Sequence, residues 1–262
     1  QGLPPACTTT CPVHVDVKSF LADMKAGRFD GAMKILRKAH TFPGIIGRIC
    51  DHPCQAACKR REAGEAVSIA ALEKACVVMS STTPEQISIH TKKDKRVAVA
   101  GGGLSGLTAA FDLAAKGYSV VLFESKDRLG GSIWDLPEEI LPRDVILEET
   151  AVLGRLGVEI RFNATVGENL SLTDLCRDFD AVYLGAGRSS QDTFNLQTSQ
   201  EGRILIDPVT LSTSQEGVFA GGGLRTGREY SPVLSQSDGK RAAKSIDRYL
   251  QKVSLYFSRE EE

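Results

Sequence analysis

Long apolar runs are missing from this 262-residue sequence. The longest, Val97 to Ala115, is interrupted by four glycines, Ser105, Thr108 and Asp112, so no segment reads as a membrane span. Charge of one sign is equally scarce: 32 Lys and Arg face 33 Asp and Glu, and aromatic residues make up 6 %. No basic, aromatic-rich surface for nucleic acid is expected from that balance. The first residues have neither a basic start nor an apolar h-region, so a signal peptide is not expected and the compartment reads as cytoplasmic. The start at Gln1 rather than Met leaves an upstream targeting signal open. What remains, 42 % hydrophobic and 25 % charged residues, excludes disorder and collagen-like repeats. The length allows one large domain or two ordinary ones.

Composition is uneven along the chain. Five of the seven cysteines fall within the first 58 residues, whereas 19 of the 25 glycines follow residue 92. Residues 1–92 carry 12 Lys and Arg against 8 Asp and Glu, and the remainder carries 20 against 25. The polar stretch Ser80 to Lys95, with Pro84 and a basic run, marks the boundary, giving domains at 1–92 and 93–262.

In the first segment the cysteines run Cys7-x3-Cys11-Pro12, then 38 residues, then Cys50-x3-Cys54-x3-Cys58. The gap has helical periodicity through Phe20, Leu21, Met24, Met33, Ile35 and Leu36, until Thr41, Pro43 and Gly44 break it. Two cysteine-bearing loops joined by a helical hairpin can thus close on one centre. Disulfides are opposed by the odd cysteine count and the missing secretory signal. Structural zinc usually takes Cys-x2-Cys pairs, which the x3 spacing does not supply. An iron-sulfur cluster suits the spacing best, with a proline following one ligand as in Cys11-Pro12. His52, between two candidate ligands, is placed to tune a cluster but reads more simply as a solvated loop residue; His14, His40 and His90 read as surface residues, and Cys76 and Cys176 as inert buried thiols.

The second segment opens with Arg96-Val-Ala-Val-Ala-Gly101-Gly-Gly103-Leu104-Ser105-Gly106, a strand, a G-x-G-x-x-G turn and a helix start. Gly101 permits the tight turn, Gly103 the approach of a pyrophosphate, and Gly106 close packing of helix on strand. Amides at the helix N-terminus then meet the phosphate charge. A second strand, Ser119 to Phe123, ends in Glu124, 23 residues after Gly101, where a carboxylate suits two ribose hydroxyls. Ser125 to Gly131, with Arg128, Gly130 and Gly131, forms a second glycine turn for the far half of a long dinucleotide. A late strand, Gly217 to Gly223, and a helix from about Val233 to Leu250 complete a two-piece flavin domain, which favours FAD over NAD. The acidic run Asp135, Glu138, Glu139, Glu148 and Glu149 reads as a solvated helix face. The tail Ser258 to Glu262 is too polar to pack.

Taken in order, these motifs resemble the small (beta) subunit of glutamate synthase and its relatives, the NADPH-ferredoxin oxidoreductase subunits and the N-terminal half of dihydropyrimidine dehydrogenase. The match runs through Cys-x3-Cys-Pro, Gly47-Arg48-Ile-Cys50-x2-Pro53-Cys54-x3-Cys58-x-Arg60 and Ile69-x2-Leu72-Glu73. It continues with the FAD turn, Leu141-Pro142-Arg143, Leu156-Gly157-Val158-Glu159, Val166-Gly167, Ala181 to Gly187 and Val218 to Gly222. The resemblance implies an α/β chain, with an N-terminal all-helical iron-sulfur domain followed by a Rossmann-like two-piece FAD-binding domain. It implies FAD contacts at Gly101, Gly103, Leu104, Ser105, Gly106, Glu124, Ser125, Arg128, Gly130, Gly131, Val166, Gly187, Gly222, Gly223 and Val233. It implies metal ligation by Cys11, Cys50 and Cys54, with Glu73 as a fourth ligand, and by Cys7 and Cys58 for a second cluster.

Three departures qualify this pattern. The Cys-x2-Cys pair that completes the second cluster is absent upstream of Cys7, so the chain binds one 4Fe-4S cluster, or two if that pair comes from elsewhere. Only 33 residues, Gly185 to Gly217, lie where relatives insert a nicotinamide-binding domain, which needs roughly 100 residues. Gly223 stands where relatives commonly have an aspartate for the ribityl chain. The expected function is an iron-sulfur flavoprotein, an FAD-dependent oxidoreductase component. It passes electrons between FAD and a 4Fe-4S cluster and on to or from a redox partner, a ferredoxin or a catalytic metalloprotein, within a hetero-oligomeric complex. Two alternatives stay open: an NAD(P)H-dependent reductase whose nicotinamide site lies on an open flavin face or on a partner, and a non-catalytic flavin-fold assembly module. No catalytic acid, base or nucleophile can be named from the sequence.

Overall fold

A computed structural model describes residues 4–81, 90–185, 187, 194–200, 203–224 and 231–257. The tail Ser258 to Glu262 and residues 82–89 of the boundary stretch lie outside the described residues. The chain divides into two compact units that are not contiguous in sequence. The first comprises residues 1–86, 136–149 and 231–234, and the second residues 87–135, 150–230 and 235–262. Residues 136–149 and 231–234 therefore group with the cysteine segment, although a contiguous division at residue 92 assigns them to the flavin segment.

The first unit is helical: α1 (Ala6–Thr10), α2 (Val17–Lys25), α3 (Phe29–Ala39), α4 (Pro43–Ile49), α5 (Pro53–Ala56) and α6 (Ile69–Met79). Asp16 caps α2 by accepting from the Ser19 N–H at 3.1 Å. On α3, Ala32, Met33, Leu36 and Ala39 recur at helical spacing and are buried, with Lys34, Arg37 and Lys38 between them. These side chains join Phe20, Val15, Val17, Ile69, Cys11, Cys54 and Cys76 in one apolar core. Pro43 and Gly44 do end the preceding helix, but they also open a new one, because proline suits the first helical position, where its missing N–H is no loss. The cysteines do not sit on open loops: Cys7 lies on α1, Cys54 on α5, and Cys11 and Cys50 at the ends of α1 and α4.

The second unit is built on a wholly parallel five-stranded sheet of order β3-β2-β1-β4-β5. Its strands are β1 (Arg96–Ala100), β2 (Ser119–Phe123), β3 (Glu159–Arg161), β4 (Ala181–Leu184) and β5 (Val218–Ala220). Strand alternation divides the side chains cleanly. Ala98, Ala100, Val121, Phe123, Val182, Leu184, Val218 and Ala220 share one face with Leu172 and Leu175 of α10 (Leu172–Asp178). Tyr183, Phe219 and Val99 face the other way, towards α7 (Leu104–Ala115) and the body of α11 (Pro232–Leu250). The two helices approach so closely that a Cβ on Gly239 would overlap the Ser105 carbonyl oxygen. Both faces of the sheet are therefore covered, as a parallel sheet requires.

The described parts of the connection from β4 to β5, residues 194–200 and 203–217, pack back on the sheet. Phe194 and Ile204 are buried in the β-face core, with Leu196 and Ile206 packed against it. Thr198 and Ile204 form an antiparallel bridge, and Leu211 is buried while its carbonyl accepts from the Ala220 N–H at 2.9 Å. At the other end of the sheet, Asp247 on α11 accepts from Lys93, Lys116 and the Tyr118 hydroxyl at 2.9, 3.1 and 2.7 Å.

Candidate functional site

The nucleotide cradle lies where β1 hands the chain to α7, beside the point at which the strand order reverses between β1 and β4. Gly101 has φ +103°, a conformation that favours glycine, and its N–H donates to Phe123 C=O at 2.7 Å. A Cβ at Gly106 would overlap the Gly101 carbonyl oxygen, whereas Gly103 faces open space. The first amides of α7, at Leu104, Ser105 and Gly106, have no acceptor within the helix and are open to an anion. Ser105 Oγ is otherwise engaged, 2.6 Å from the buried Tyr183 hydroxyl.

The second glycine turn is laid directly on the first. Gly130 N–H donates to Gly102 C=O at 2.8 Å, Gly103 and Gly130 form a parallel bridge, and a Cβ on Gly131 would stand 3.0 Å from Gly103 Cα. Arg128 is exposed, its guanidinium 4.6 Å from the centre of the Trp134 ring, while the Trp134 indole N–H donates to Leu129 C=O at 2.6 Å. Glu124 is buried and oriented: it accepts from Gly102 N–H at 2.6 Å, Lys126 N–H at 2.9 Å and the Ser125 hydroxyl at 3.0 Å. Those contacts hold its carboxylate at the edge of the glycine turn.

Other expected FAD contacts lie less directly. The Val166 side chain is in the apolar core, which leaves only its backbone for a ligand. Gly187 has φ +77° and open space at its Cβ position. Val233 is buried in the first turn of α11. Gly222 and Gly223 belong to a short 3-10 turn, Gly222–Leu224, after β5. A carboxylate does reach this turn, from another element: Asp238 on α11, 3 % exposed, accepts from the Gly222 N–H at 3.1 Å.

None of the seven cysteines is in a disulfide, and six of them, all but Cys176, belong to the helical unit. Cys11 and Cys54 are buried; Cys7, Cys50 and Cys58 are partly so. Burial raises the Cys11 and Cys50 thiols above their ordinary range and pushes Cys54 up to about 12, with the charge of Glu73 adding to each. Cys54 also feels Cys11 and Cys7, and Cys50 feels Cys54. Cys58 differs, held below the usual thiol range chiefly by the amides of Val67 and Arg60. The structure thus brings Cys7, Cys11, Cys50, Cys54 and Glu73 together and sets Cys58 in a nest of backbone amides.

The donor set fits a thiolate-bound cluster. Desolvated thiols resist ionising on their own, and metal binding supplies the charge that offsets it. Thr8 Oγ1, one residue after Cys7, is buried without a hydrogen-bond partner among the described residues. No three His, Cys, Asp or Glu side chains among the described residues converge on a single metal ion.

Three polar residues differ from the sequence expectation. His52 is not solvated: it is 9 % exposed with φ +47°, its Nε2 3.2 Å from Glu73 Oε2 and its Nδ1 2.5 Å from Cys50 C=O. His40 is not on the surface either; it is 3 % exposed with Nε2 4.0 Å from Glu73 Oε1. Glu149 is not on a solvated face but accepts from Ile45 N–H at 2.8 Å. One of these had a readable signal nearby: Glu73 occupies the apolar stripe Ile69, Glu73, Cys76 of α6, where an unpaired carboxylate would be costly.

Comparison with known proteins gives these sites their family. A family model for the dihydropyrimidine dehydrogenase domain II, 4Fe-4S cluster, matches residues 2–84. The pyridine nucleotide-disulphide oxidoreductase model matches residues 63–244, more than half of the chain. This chain belongs to the pyridine nucleotide-disulphide oxidoreductase family. With the cluster domain ahead of it, it is an FAD-dependent oxidoreductase chain carrying a 4Fe-4S cluster. Its curated relatives include the NADP(+)-dependent formate dehydrogenase subunit beta of Moorella thermoacetica, 30 % identical over 75 % of this chain and 31 % of that one. The NADPH-Fe(3+) oxidoreductase subunit beta of Geobacter sulfurreducens is 29 % identical over 75 % of this chain and 30 % of that one. The glutamate synthase [NADPH] small chain of Escherichia coli is 29 % identical over 70 % and 40 %, respectively. The chain thus spans between about a third and two fifths of the length of these relatives. No helix among the described residues is long and apolar enough to cross a membrane.

Proposed function

We propose that this chain relays electrons between FAD and one 4Fe-4S cluster, and exchanges them with a partner redox protein rather than with a nicotinamide held by its own fold. The observation that carries the reading is the connection Gly185–Gly217. Phe194 and Ile204 from its described part are buried in the core on one face of the sheet, which supports a short packed connection where relatives insert a domain. FAD, when bound, exchanges electrons in pairs or singly, and a cluster exchanges them singly. The chain's own part is to hold and orient. Gly101, Gly103, Gly106 and the α7 amides receive the pyrophosphate, with Gly130 and Gly131 forming the facing wall. Glu124 accepts from the ribose hydroxyls. Cys11, Cys50 and Cys54 ligate the cluster with Glu73 or Cys7 completing the set, while His52 and His40 fix the Glu73 carboxylate. Relatives named as subunits support a partner within a complex, a ferredoxin-like carrier or a catalytic metalloprotein. Seven free thiols suit a reducing, cytoplasmic setting.

Rapid mixing under anaerobic conditions tests this. Excess NADPH or NADH alone leaves the flavin absorbance unbleached on the timescale on which a reduced ferredoxin bleaches it. Prompt bleaching by NADPH alone, with no other protein present, overturns the relay reading in favour of a reductase with a nicotinamide site of its own.

A further inference from the structure

The carboxylate of Glu149, in α8 (Arg143–Thr150), does something for α4 that no neighbour of α4 in sequence does. Phe42, at the N-cap of α4, has no side-chain acceptor, and Pro43 has no N–H. Ile46 N–H already donates to Phe42 C=O at 2.9 Å, which leaves the amides of Gly44 and Ile45 to be satisfied. Glu149 Oε2 accepts from Ile45 N–H at 2.8 Å across 104 residues of sequence, and Gly44 N–H acts on the same carboxylate. A Cβ at residue 44 would stand 2.9 Å from the carboxyl carbon, so a side chain there would displace this carboxylate. The charged groups facing Glu149 are Arg37 from α3 and Arg48 from α4, the latter also donating to Gly44 C=O at 2.7 Å. The far end of this same helix is Cys50, whose N–H donates to Ile46 C=O at 2.9 Å. Six residues of helical rise, about 9 Å, separate Gly44 from Cys50.

We infer that Glu149 is a redox-linked proton acceptor: its carboxylate takes one proton from solvent as the cluster at Cys11, Cys50 and Cys54 gains one electron, and releases it on reoxidation. This rests on the cluster reading above. An added negative charge on the order of 10 Å away, at an effective dielectric of about 20, raises the proton affinity of a carboxylate by about one pKa unit. Burial has already pushed Glu149 up to about 7 against the pull of the two amides and the two arginines, so such a rise falls where proton uptake is large at neutral pH. A neutral carboxyl keeps one oxygen for Ile45 N–H, so α4 stays capped in both states. The electron comes from FAD or an added reductant, and the charge it brings is offset by the proton.

The test is an EPR-monitored redox titration of the anaerobically loaded full chain at pH values on both sides of 7. In the wild type the cluster potential falls as pH rises, by up to about 59 mV per pH unit, the tenfold-per-unit limit for one electron. Glu149→Gln keeps an acceptor oxygen for Ile45 and flattens the dependence. A pH-independent wild type, or a Glu149→Gln chain with the wild-type slope, overturns the inference while leaving the cluster reading intact. A wild-type chain that takes up no iron removes both. If Glu149→Gln does not fold, the wild type alone decides: its redox-difference infrared spectrum gains a protonated carboxyl band on reduction, and absence of that band overturns the inference.

Discussion

At Gly106 a single methyl group decides whether β1 can hand the chain to α7, because a Cβ there would overlap the Gly101 carbonyl oxygen. Gly106→Ala forces the turn open at a cost of about 1–3 kcal/mol and releases FAD from the folded chain. Retained flavin after gel filtration, at wild-type stoichiometry, would contradict that assignment. Glu149 offers a residue-scale test of a different kind. Its pKa is raised from 4.5 to about 7, so between those values the folded state binds more protons than the unfolded state. Stability at Glu149 is therefore greatest below 4.5 and falls as pH rises to about 7, by roughly 3 kcal/mol. Denaturant unfolding across that window should show Glu149→Gln losing this slope and gaining stability relative to wild type above pH 7. The glycine turn and the place of Glu124 beside it were legible in the sequence because they depend on spacing within one strand-turn-helix unit. His40, His52 and Glu149 were not, because each is defined by a partner that folding brings in: Glu73 lies 21 residues from His52, and Ile45 lies 104 from Glu149.

Among the elements, the strands were the most readable. Ser119 to Phe123, Ala181 to Leu184 and Val218 to Ala220 are apolar runs bounded by glycine or polar turns, and the structure places β2, β4 and β5 there. The long last helix was also readable, and α11 starts one residue earlier than expected. α4 was not, since its opening Pro43-Gly44 reads locally as a stop and only the distant carboxylate of Glu149 satisfies its first amides. The connection from β4 to β5 has its own test. Ile204 is fully buried in the sheet core, so Ile204→Ala leaves a cavity and costs about 2–4 kcal/mol in thermal or denaturant unfolding while FAD stays bound at low temperature. A loss under 1 kcal/mol would mean that the connection is not packed as described. Asp247 ties the approach to β1, the end of α7 and α11 together through Lys93, Lys116, Tyr118 and Gln251, which hold its carboxyl well below the usual carboxylate range. Asp247→Asn therefore destabilises the second unit near neutral pH. The difference from wild type shrinks in strong acid, below the ordinary 3.8 of the unfolded chain, as Asp247 itself protonates.

At the scale of the molecule, an uneven cysteine and glycine distribution foretold two chemistries, and the family models assign the cluster domain and the oxidoreductase fold in that order. The grouping of residues 136–149 and 231–234 with the helical unit was hidden, because nothing in a local pattern says which unit a segment packs against. That grouping also makes Glu149, encoded between two strands of the flavin fold, a structural part of the cluster unit. The relay proposed above requires that FAD and a 4Fe-4S cluster on one chain exchange electrons. The most direct measurement is anaerobic photoreduction of the flavin in the purified, iron-loaded chain, with flavin absorbance and low-temperature EPR recorded on the same sample. A working relay shows about one FAD and about four irons per chain, with a reduced-cluster signal that grows as the flavin is reduced. A folded chain that binds flavin but no iron, or a loaded cluster that stays oxidised while the flavin is fully reduced, would contradict it.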